Sequence, residues 1–285
     1  MKIKEIMSSP VYVVSLMDNI ARARNLMRRH KIGRLVVIED NQPIGIVTKK
    51  DIMRRLDQAE PMWRRRPIDD IPIKIVMTED IITIFPDATP AQLAELMIEN
   101  NISGLPVVNS KNEIMGIATK WDLIRWFSEQ DVKLRVKDMN IEPVLTVHRH
   151  HTISQILYEL DINSIDRAIV VEGNNMPVGI ITSSNLAFTV LRDKKGALPQ
   201  KDIKMTRKES YAGRKQNRYV KEVPLVAEDI MSAPLITTNV NEPATHAASI
   251  MVKERIKGLP VIDNEIMGML TADSIVKQIL TMVRT

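Results

Sequence analysis

One seven-residue pattern occurs four times along the chain, and it constrains the fold more than any other feature. Each copy begins with glycine, continues through two apolar residues to a threonine, and has a polar residue three positions after the threonine. The copies are Gly45–Asp51, Gly116–Asp122, Gly179–Asn185 and Gly268–Ser274. This order is typical of a strand that ends where a capped helix begins. Because a helix N-terminus favours anions, each copy predicts one polar edge of a binding pocket.

Other residues recur in phase with this pattern, which indicates a repeated fold unit. A methionine precedes the glycine by 37 to 40 residues in every copy, at Met7, Met77, Met139 and Met231. The periodicity between these marks predicts the order β-α-β-β-α in each repeat, and therefore an α/β (α+β) fold. The predicted boundaries are 3–58, 73–128, 136–191 and 226–283 for repeats one to four, with a basic insertion at 192–225.

The predicted elements follow from apolar runs and helix signals. The helix of repeat one is capped by Asp18 or Asn19, runs through His30 and is ended by Gly33. The first strand of each repeat is predicted at Val11–Val14, Ile81–Ile84, Val144–Val147 and Leu235–Thr238.

Composition limits the class of protein. The chain has 285 residues, of which 44% are apolar and 26% charged, and it has no cysteine. It lacks an apolar signal core at its start, and no apolar run approaches the roughly 18 residues that a membrane helix needs. We therefore expect a soluble cytoplasmic protein without disulfides, thiolate catalysis or cysteine-bound zinc.

The net charge of +5 belongs to one segment. Residues 192–222 contain 11 Lys and Arg against 4 Asp and Glu, whereas the rest of the chain has 29 basic and 31 acidic residues. Tyrosines at 211 and 219 lie among these cations, as does Trp63 beside Arg64–Arg66 in the first linker. Such stretches are compatible with nucleic-acid binding or with solvated linkers, and no helix-turn-helix motif accompanies them.

Two stretches of repeat two, Ile102–Val108 and Gly116–Asp122, make the repeat resemble the cystathionine-β-synthase (CBS) domain. The resemblance extends over nearly the whole chain apart from the two linkers. With four such repeats, the chain resembles the stand-alone CBS proteins of archaea and bacteria. It also resembles the gamma subunit of AMP-activated protein kinase. In such families the repeats pair into modules with two nucleotide clefts each, and two modules can stack into a flat disk. The resemblance therefore implies pairs of repeats one with two and three with four, within one chain or across a homodimer.

The resemblance also implies roles for the residues of the repeated pattern. The carboxylate is expected to hold the ribose hydroxyls, at Asp51 and Asp122, and more weakly through the amide of Asn185. An ionised carboxylate suits a vicinal diol because it accepts two hydrogen bonds. Ser274 stands at this position in repeat four, so a ribose site there is not expected. The hydroxyls beside the ribose or phosphate are Thr48, Thr119, Thr182 and Thr271.

The remaining expected ligand contacts are apolar and cationic. The adenine pocket maps to Val11, Ile32, Ile46, Ile81, Ile102, Ile117, Val144, Ile165 and Ile180, although core packing would explain these residues equally well. The phosphate-binding candidates are Arg34, Lys50, Arg167 and Lys257, and Gly104 stands at the arginine position of repeat two.

Other chemistry finds less support in the sequence. The run His148–His151 has no carboxylate at ligand spacing, so a basic loop is favoured over a metal site. There is no P-loop, no G-x-G-x-x-G motif and no single Ser/His/Asp constellation, so no enzyme and no catalytic cofactor are expected.

The sequence thus predicts a regulatory sensor that binds AMP, ADP or ATP and rearranges its paired modules to control a second, unidentified protein. One alternative keeps the fold and changes the ligand to S-adenosylmethionine or methylthioadenosine, which carry adenine and ribose without phosphate. A second alternative is a nucleic-acid accessory protein that uses residues 192–222.

Overall fold

The computed structural model describes residues 1–52, 71–182, 185–186, 200–206 and 218–284. The first linker from 53 to 70 and most of the basic stretch therefore lie outside the described residues. The chain divides into two compact units. The first comprises Met1–Asn140, Asn241–Gly258 and Leu270–Thr285, and the second Ile141–Val240 and Leu259–Met269.

After a short leading helix, repeat one follows the predicted order up to its last strand, and the predicted closing helix is described only at residues 49–52. Its elements are α1 (Ile3–Ile6), β1 (Val13–Val14), α2 (Ile20–Arg29), β2 (Arg34–Glu39) and β3 (Gln42–Thr48). Strand β1 runs parallel to β2, and β2 runs antiparallel to β3. The predicted cap is confirmed at Asn19, whose side chain accepts the backbone N–H of Arg22 at 2.8 Å. Helix α2 buries Ile20, Ala23 and Met27 against this sheet.

Helix α2 ends one residue before the predicted His30. It ends at Arg29, and the backbone N–H of His30 still bonds to the carbonyl of Leu26 at 3.0 Å. The chain then reverses through Lys31, which has the left-handed φ of 54°. The predicted stop signal at Gly33 is therefore displaced, because a lysine and not the glycine takes the left-handed position after the helix.

Repeat two has the same order with a weaker first strand. Its elements are α3 (Pro90–Glu99), β4 (Gly104–Val108), β5 (Ile114–Thr119) and α4 (Lys120–Ser128). The strand predicted at Ile81–Ile84 is reduced to one bridge between Ile84 and Val107. The backbone N–H of Ile84 bonds to Pro106 and its carbonyl accepts from Val108. The next bond along a parallel ladder would need an N–H on Pro106, which proline lacks, so the ladder stops.

The second unit contains repeat three and the strands of repeat four. Repeat three consists of β6 (Leu145–His148), α5 (Ile153–Ile162), β7 (Arg167–Glu172) and β8 (Met176–Thr182). After it come β9 (Gln200–Thr206) and β10 (Arg218–Pro224), an antiparallel pair with seven facing residues on each strand. Lys201 anchors this hairpin through its ammonium group, which lies 2.7 Å from the carboxylate of Asp229.

Repeat four begins after the hairpin. Its elements are α6 (Ala227–Ile230), α7 (Ala244–Glu254), β11 (Gly258–Asp263), β12 (Glu265–Thr271) and α8 (Ala272–Arg284). The strand predicted at Leu235–Thr238 is again a single bridge, from Thr238 to Val261. Pro260 occupies the position of Pro106 and ends the ladder for the same reason.

The segment that precedes each repeat's first strand, here called the leading segment, pairs with the other repeat of its pair. Backbone bridges join each leading segment to the last strand of the partner repeat: Ser8 to Ile117, Thr78 to Ile46, Glu142 to Met269 and Ser232 to Ile180. Repeats one and two therefore exchange leading segments within the first unit. Repeats three and four do so within the second unit, so the two pairs follow the expected order.

The recurring methionines lie in these leading segments, and three of them lie against the motif glycine of the partner repeat. A Cβ on Gly45, Gly116 or Gly179 would stand 2.6 to 2.8 Å from a methionine sulfur. The sulfurs belong to Met77, Met7 and Met231, respectively. Gly268 differs, because a Cβ there would be 2.5 Å from the carbonyl oxygen of Glu142 and its φ is 142°. The glycines are needed because a backbone approaches them closely.

Helices of repeats two and four pack together in the first unit. Helix α4 contacts α7 and α8, and α8 also contacts α3. The side chains of Leu123, Ile124 and Phe127 on α4 are fully buried. The ammonium group of Lys120 and the carboxylate of Asp273 form an ion pair between the first turns of α4 and α8. None of the helices in the described part of the chain is long and apolar enough to cross a membrane.

Candidate ligand-binding site

All four copies of the repeated pattern form the same helix cap. In each, the backbone N–H and hydroxyl of the threonine point to the side chain three residues later. The motif thus has a structural role in every repeat, since it satisfies polar groups at the start of a helix. Whether a copy can also bind a ligand depends on the exposure and the other partners of its capping side chain, and these differ among the four copies.

In repeat one the Oδ2 atom of Asp51 accepts two hydrogen bonds from Thr48. The backbone N–H donates at 2.9 Å and the Oγ1 hydroxyl at 2.6 Å. Both side chains are half-buried. A carboxylate and a hydroxyl therefore stand together at the edge of strand β3, as the sequence predicts.

In repeat two Asp122 has the same bonds to Thr119, at 2.8 and 2.7 Å, but it is far more enclosed. Its exposed fraction is 1%. Its Oδ1 atom accepts the hydroxyl of Ser8 and the guanidinium of Arg125, both at 3.3 Å. Burial raises the pKa of the Asp122 carboxyl, and the hydrogen bonds from Thr119 and the charge of Arg125 oppose that rise.

In repeat three an amide replaces the carboxylate. The Oδ1 atom of Asn185 accepts the backbone N–H of Thr182 at 3.0 Å and its hydroxyl at 2.7 Å. The amide nitrogen donates to the carbonyl of Ile230 and to the hydroxyl of Ser232, both at 3.1 Å. The amide thus uses its oxygen for the cap and its N–H groups for the leading segment of repeat four.

In repeat four the cap is closed and neutral. Thr271 and Ser274 are 6% and 0% exposed, and three contacts of 3.1 Å link their hydroxyls and backbone N–H groups. The nearest carboxylate in sequence, Asp273, points to Lys120 instead. The one-residue shift of the acid along the helix therefore removes it from the cap, as the pitch of a helix predicts.

Eight of the nine residues predicted to wall the adenine pocket are more exposed than the buried core. Eight are half-buried, and Ile117 is 9% exposed. In contrast, their neighbours Leu35, Val37 and Leu105 are fully buried. Half-buried apolar side chains beside a polar helix cap suit a flat apolar ligand better than a closed core.

The four predicted phosphate-binding residues differ in environment. Arg34 reaches into repeat two, where its Nη2 atom donates to the hydroxyl of Ser103 at 2.8 Å. Arg167 is held by its own neighbour, because its Nε and Nη2 atoms donate to the carboxylate of Asp166 at 2.6 and 3.0 Å. The side chains of Lys50 and Lys257 are exposed.

Charge around Arg34 differs from that around Arg167. Burial lowers the pKa of the Arg34 guanidinium, and the facing carboxylate of Asp122 opposes that change. Arg34 is therefore a half-buried cation whose charge acts on a buried carboxylate. Arg167, in contrast, pairs with the carboxylate of Asp166, the residue next to it in sequence.

The histidine run at 148–151 forms a loop with structural partners. The rings of His148 and His150 meet edge to face with centroids 5.2 Å apart. Arg149 forms ion pairs with Glu172 and Glu228, which raise the pKa of its guanidinium. No group of three potential metal ligands was found among the described residues.

A surface groove of about 630 Å³ lies along α2 and the loop before it, away from the predicted site. Its lining residues are Met17, Asp18, Asn19, Ala21, Arg22, Asn25, Leu26 and Arg29. None of them belongs to the repeated pattern, so the groove is not part of the candidate site.

The sequence missed the polar residues that enclose the caps of repeats two and three. These are Ser8, Ser103, Arg125 and Ser232. A signal for two of them is present, because Met7 and Met231 are each followed by serine in the same register. The partner of each serine could not be read from the sequence, since it lies in the other repeat of the pair.

Comparison with known proteins identifies this arrangement. The sequence pattern of the CBS domain matches residues 3–58, 68–129, 136–192 and 226–281, which is most of the chain. The chain belongs to the CBS-domain family.

CBS-domain relatives that match most of the chain come from archaea. Uncharacterized protein MJ1404 of Methanocaldococcus jannaschii is 24% identical over 288 residues, which are 97% of this chain and 61% of that protein. Uncharacterized protein MJ1225 of the same organism is 25% identical over 272 residues, 90% of this chain and 91% of that protein. The chain thus spans less than two thirds of one relative and nearly all of the other.

Solved structures share the fold across the whole chain. The crystal structure of MJ1225, described as a proposed archaeal homologue of the gamma subunit of AMP-activated protein kinase, matches with a TM-score of 0.73 at 21% identity. The match covers 98% of this chain and 99% of that one. A conserved uncharacterized protein from Pyrococcus horikoshii matches with a TM-score of 0.66 at 19% identity, covering 98% and 100%. The expected four-repeat α/β fold is confirmed.

Proposed function

We propose that this CBS protein is a regulatory sensor of adenosine nucleotides and that its first pair of repeats binds AMP, ADP or ATP. The observation that carries this proposal is the geometry around Asp122. The carboxylate is capped by Thr119, the charge of Arg34 acts on it, and the predicted apolar wall of this repeat includes the half-buried Ile81 and Ile102. The carboxylate, the guanidinium and the apolar wall match a ribose diol, a phosphate and an adenine ring, respectively.

The role is regulatory because the polar residues occur as repeated helix caps and not as one catalytic constellation. Asp51 and Asp122 each interact with a threonine of their own repeat, and the leading segments tie each cleft to the partner repeat. A ligand that contacts both repeats of a pair binds some arrangements of that pair better than others. It can thereby change the surface offered to a regulated protein.

The second pair of repeats favours a different ligand. Asn185 replaces the carboxylate, and Arg167 is already neutralised by Asp166. An anionic phosphate therefore gains less binding free energy in the second pair than in the first. We therefore assign the alternative ligands of this fold, S-adenosylmethionine or methylthioadenosine, to the cleft of repeat three, because they present adenine and ribose without phosphate.

Isothermal titration calorimetry with AMP, ADP and ATP tests the proposal on the intact chain and on the Asp51→Ala/Asp122→Ala variant. The expected result is a loss of affinity of at least about 100-fold in the first pair, since two charge-assisted contacts are removed. The control is Asp138→Ala, because Asp138 caps Arg135 at 2.9 Å with the same spacing but lies on an exposed turn. Unchanged nucleotide binding in the double variant overturns the assignment.

The nucleic-acid alternative depends on residues that lie mainly outside the described part of the chain. Within that part, β9 and β10 pair over seven residues, and Lys201 is engaged by Asp229. A salt-dependent shift with single-stranded DNA that is lost on deletion of residues 207–217 would support this alternative. Nucleotide titrations would be unaffected by that deletion.

A further inference from the structure

Arg34 extends from repeat one into repeat two. It is the first residue of β2, and its Cα lies opposite Thr48 in the pairing with β3. Its guanidinium, however, donates to Ser103 of repeat two. The side chain therefore begins beside the cap of repeat one and ends at a residue of repeat two.

Gly104 provides the space for this guanidinium. A Cβ at that position would be 2.0 Å from the Nη1 atom of Arg34 and 2.9 Å from its Cζ atom. Gly104 lies opposite Thr119, as Arg34 lies opposite Thr48, so the two residues hold equivalent positions in their repeats. Gly104 stands where an arginine is expected in repeat two, and the space left by its missing side chain holds the guanidinium of Arg34.

The neighbouring cations of repeat two have other partners. Lys120 pairs with Asp273, and Arg125 donates to the carbonyl of Ile6 at 2.7 Å and to Asp122. The exposed side chain of Lys50 belongs to the surface of repeat one. Arg34, in contrast, is half-buried, donates to the neutral hydroxyl of Ser103, and lies within the electrostatic influence of Asp122.

We propose that Arg34 is a shared specificity residue, which binds the phosphate of a nucleotide in either cleft of the first pair but in only one of them at a time. The inference rests on the proposed function and adds a rule to it. The first pair binds one phosphorylated nucleoside tightly and a second one more weakly. A nucleoside without phosphate fills the two clefts independently.

The physical reason is the geometry of the guanidinium. Its planar fork donates two parallel hydrogen bonds to one phosphate, and the side chain can point to only one cleft in a given conformation. A second phosphate in the same pair lacks that partner and meets the first negative charge in a partly desolvated setting. Removal of the phosphate from the ligand removes both effects.

Photoaffinity labelling of the intact chain with 8-azido-AMP and 8-azidoadenosine measures the occupancy of each cleft. Peptide mapping by mass spectrometry then separates label on repeat one from label on repeat two. For the wild type we expect the second cleft to require a concentration of 8-azido-AMP about tenfold or more above the first, the usual effect of one charge-assisted contact. With 8-azidoadenosine the two clefts label at concentrations within about threefold of each other.

Two substitutions make the test specific to Arg34. Arg34→Gln should remove the difference between the clefts for 8-azido-AMP, with both labelled weakly. Gly104→Ala should move the guanidinium out of repeat two and transfer the preferred labelling to repeat one. Circular dichroism shows whether both variants fold, and the Arg34→Gln result stands without the glycine variant.

The outcomes separate the inference from the proposed function. Equal labelling of both clefts by 8-azido-AMP in the wild type overturns the shared arginine, as does a difference that persists in Arg34→Gln. No labelling of either cleft by either probe overturns adenosine binding itself, and the inference with it.

Discussion

The two pairs of repeats have the same fold but differ in the charges at their caps. In the first pair the caps contain Asp51 and Asp122, and Arg34 crosses from one repeat to the other. In the second pair they contain Asn185 and Ser274, and the matching arginine is bound by an adjacent acid. A helix cap needs only a hydrogen-bond acceptor, which carboxylate, amide and hydroxyl all supply. The comparison therefore separates the structural role of the motif from its capacity to bind an anionic nucleotide.

The largest expected effect concerns the close approach of the leading segments. Gly268→Ala places a methyl group 2.5 Å from a backbone oxygen at a φ of 142°, so we expect a loss of about 3 kcal/mol or more in the free energy of unfolding. Gly116→Ala meets mainly the flexible side chain of Met7 and should cost about 1–2 kcal/mol. Urea denaturation of each variant measures the difference.

Gly33→Ala is the matched control for these glycines, because a Cβ there has no heavy atom within 4 Å. Its unfolding midpoint should stay close to that of the wild type. Equal destabilisation by all three alanines would show that loss of glycine, and not the approach of the partner repeat, is responsible.

The second prediction compares the two arginines. Arg34→Gln should weaken AMP binding about 10- to 100-fold, because a phosphate contact in a buried setting is lost. Arg167→Gln should change AMP affinity by less than about threefold, since Asp166 already neutralises that guanidinium. Titration calorimetry of both variants checks this contrast.

A reverse substitution sharpens the same comparison. Asp166→Gly gives the second pair the neighbour that Arg34 has in Gly33. AMP affinity of the second pair should then rise, by roughly tenfold if Arg167 becomes available to a phosphate. No change in that variant would mean that the amide of Asn185, and not the charge of Asp166, limits the second pair.

The third prediction concerns pH. Burial raises the pKa of Asp122, so this carboxylate takes up a proton at a higher pH than an ordinary aspartate. Ribose binding needs the ionised form of this carboxyl. As the pH is lowered, AMP affinity should therefore begin to fall at a higher pH than it would with an ordinary aspartate. Binding by Asp122→Asn should be weaker and lack this pH dependence. An identical pH profile for the two proteins would contradict a role for Asp122.

The effect of Asp122 on stability has the opposite sign. Because its pKa is higher in the folded protein, protonation favours folding. That contribution is fully present below the pKa of the unfolded chain and is lost as the pH rises through the folded value. The free energy of unfolding of the wild type, relative to Asp122→Asn, should therefore increase as the pH falls through that window.

The smallest expected effect is that of the ion pair between repeats two and four. Asp273 is about half exposed, so Asp273→Asn should lower the free energy of unfolding by about 0–1 kcal/mol, and less at high salt. Thermal unfolding at two salt concentrations checks it. A loss of several kcal/mol would indicate that the pair is shielded from water.

Much of the fold could be predicted because the signals for each strand and helix lie within short stretches of the repeated sequence. Strand ends and the cap at Asn19 follow from propensity and capping residues alone. The short first strands of repeats two and four could also have been predicted, since Pro106 and Pro260 remove the N–H that a parallel ladder needs. The left-handed turn at Lys31 could not, because lysine has no preference for positive φ.

The candidate site was predictable only in part, because its contacts join different repeats. The caps are local, so Thr48 and Asp51 could be placed from their spacing. The reach of Arg34 to Ser103 and the bond from Ser8 to Asp122 join residues 69 and 114 positions apart. No local pattern predicts such pairings. The role of Gly104, which leaves space for the side chain of Arg34, is likewise visible only in the structure.

Crystals of the intact chain grown with AMP test the central claim most directly. The account predicts AMP in the first pair, with its ribose hydroxyls on Asp51 or Asp122 and its phosphate within hydrogen-bonding distance of Arg34. AMP bound beside Ser274 of repeat four, with the first pair empty, would contradict it.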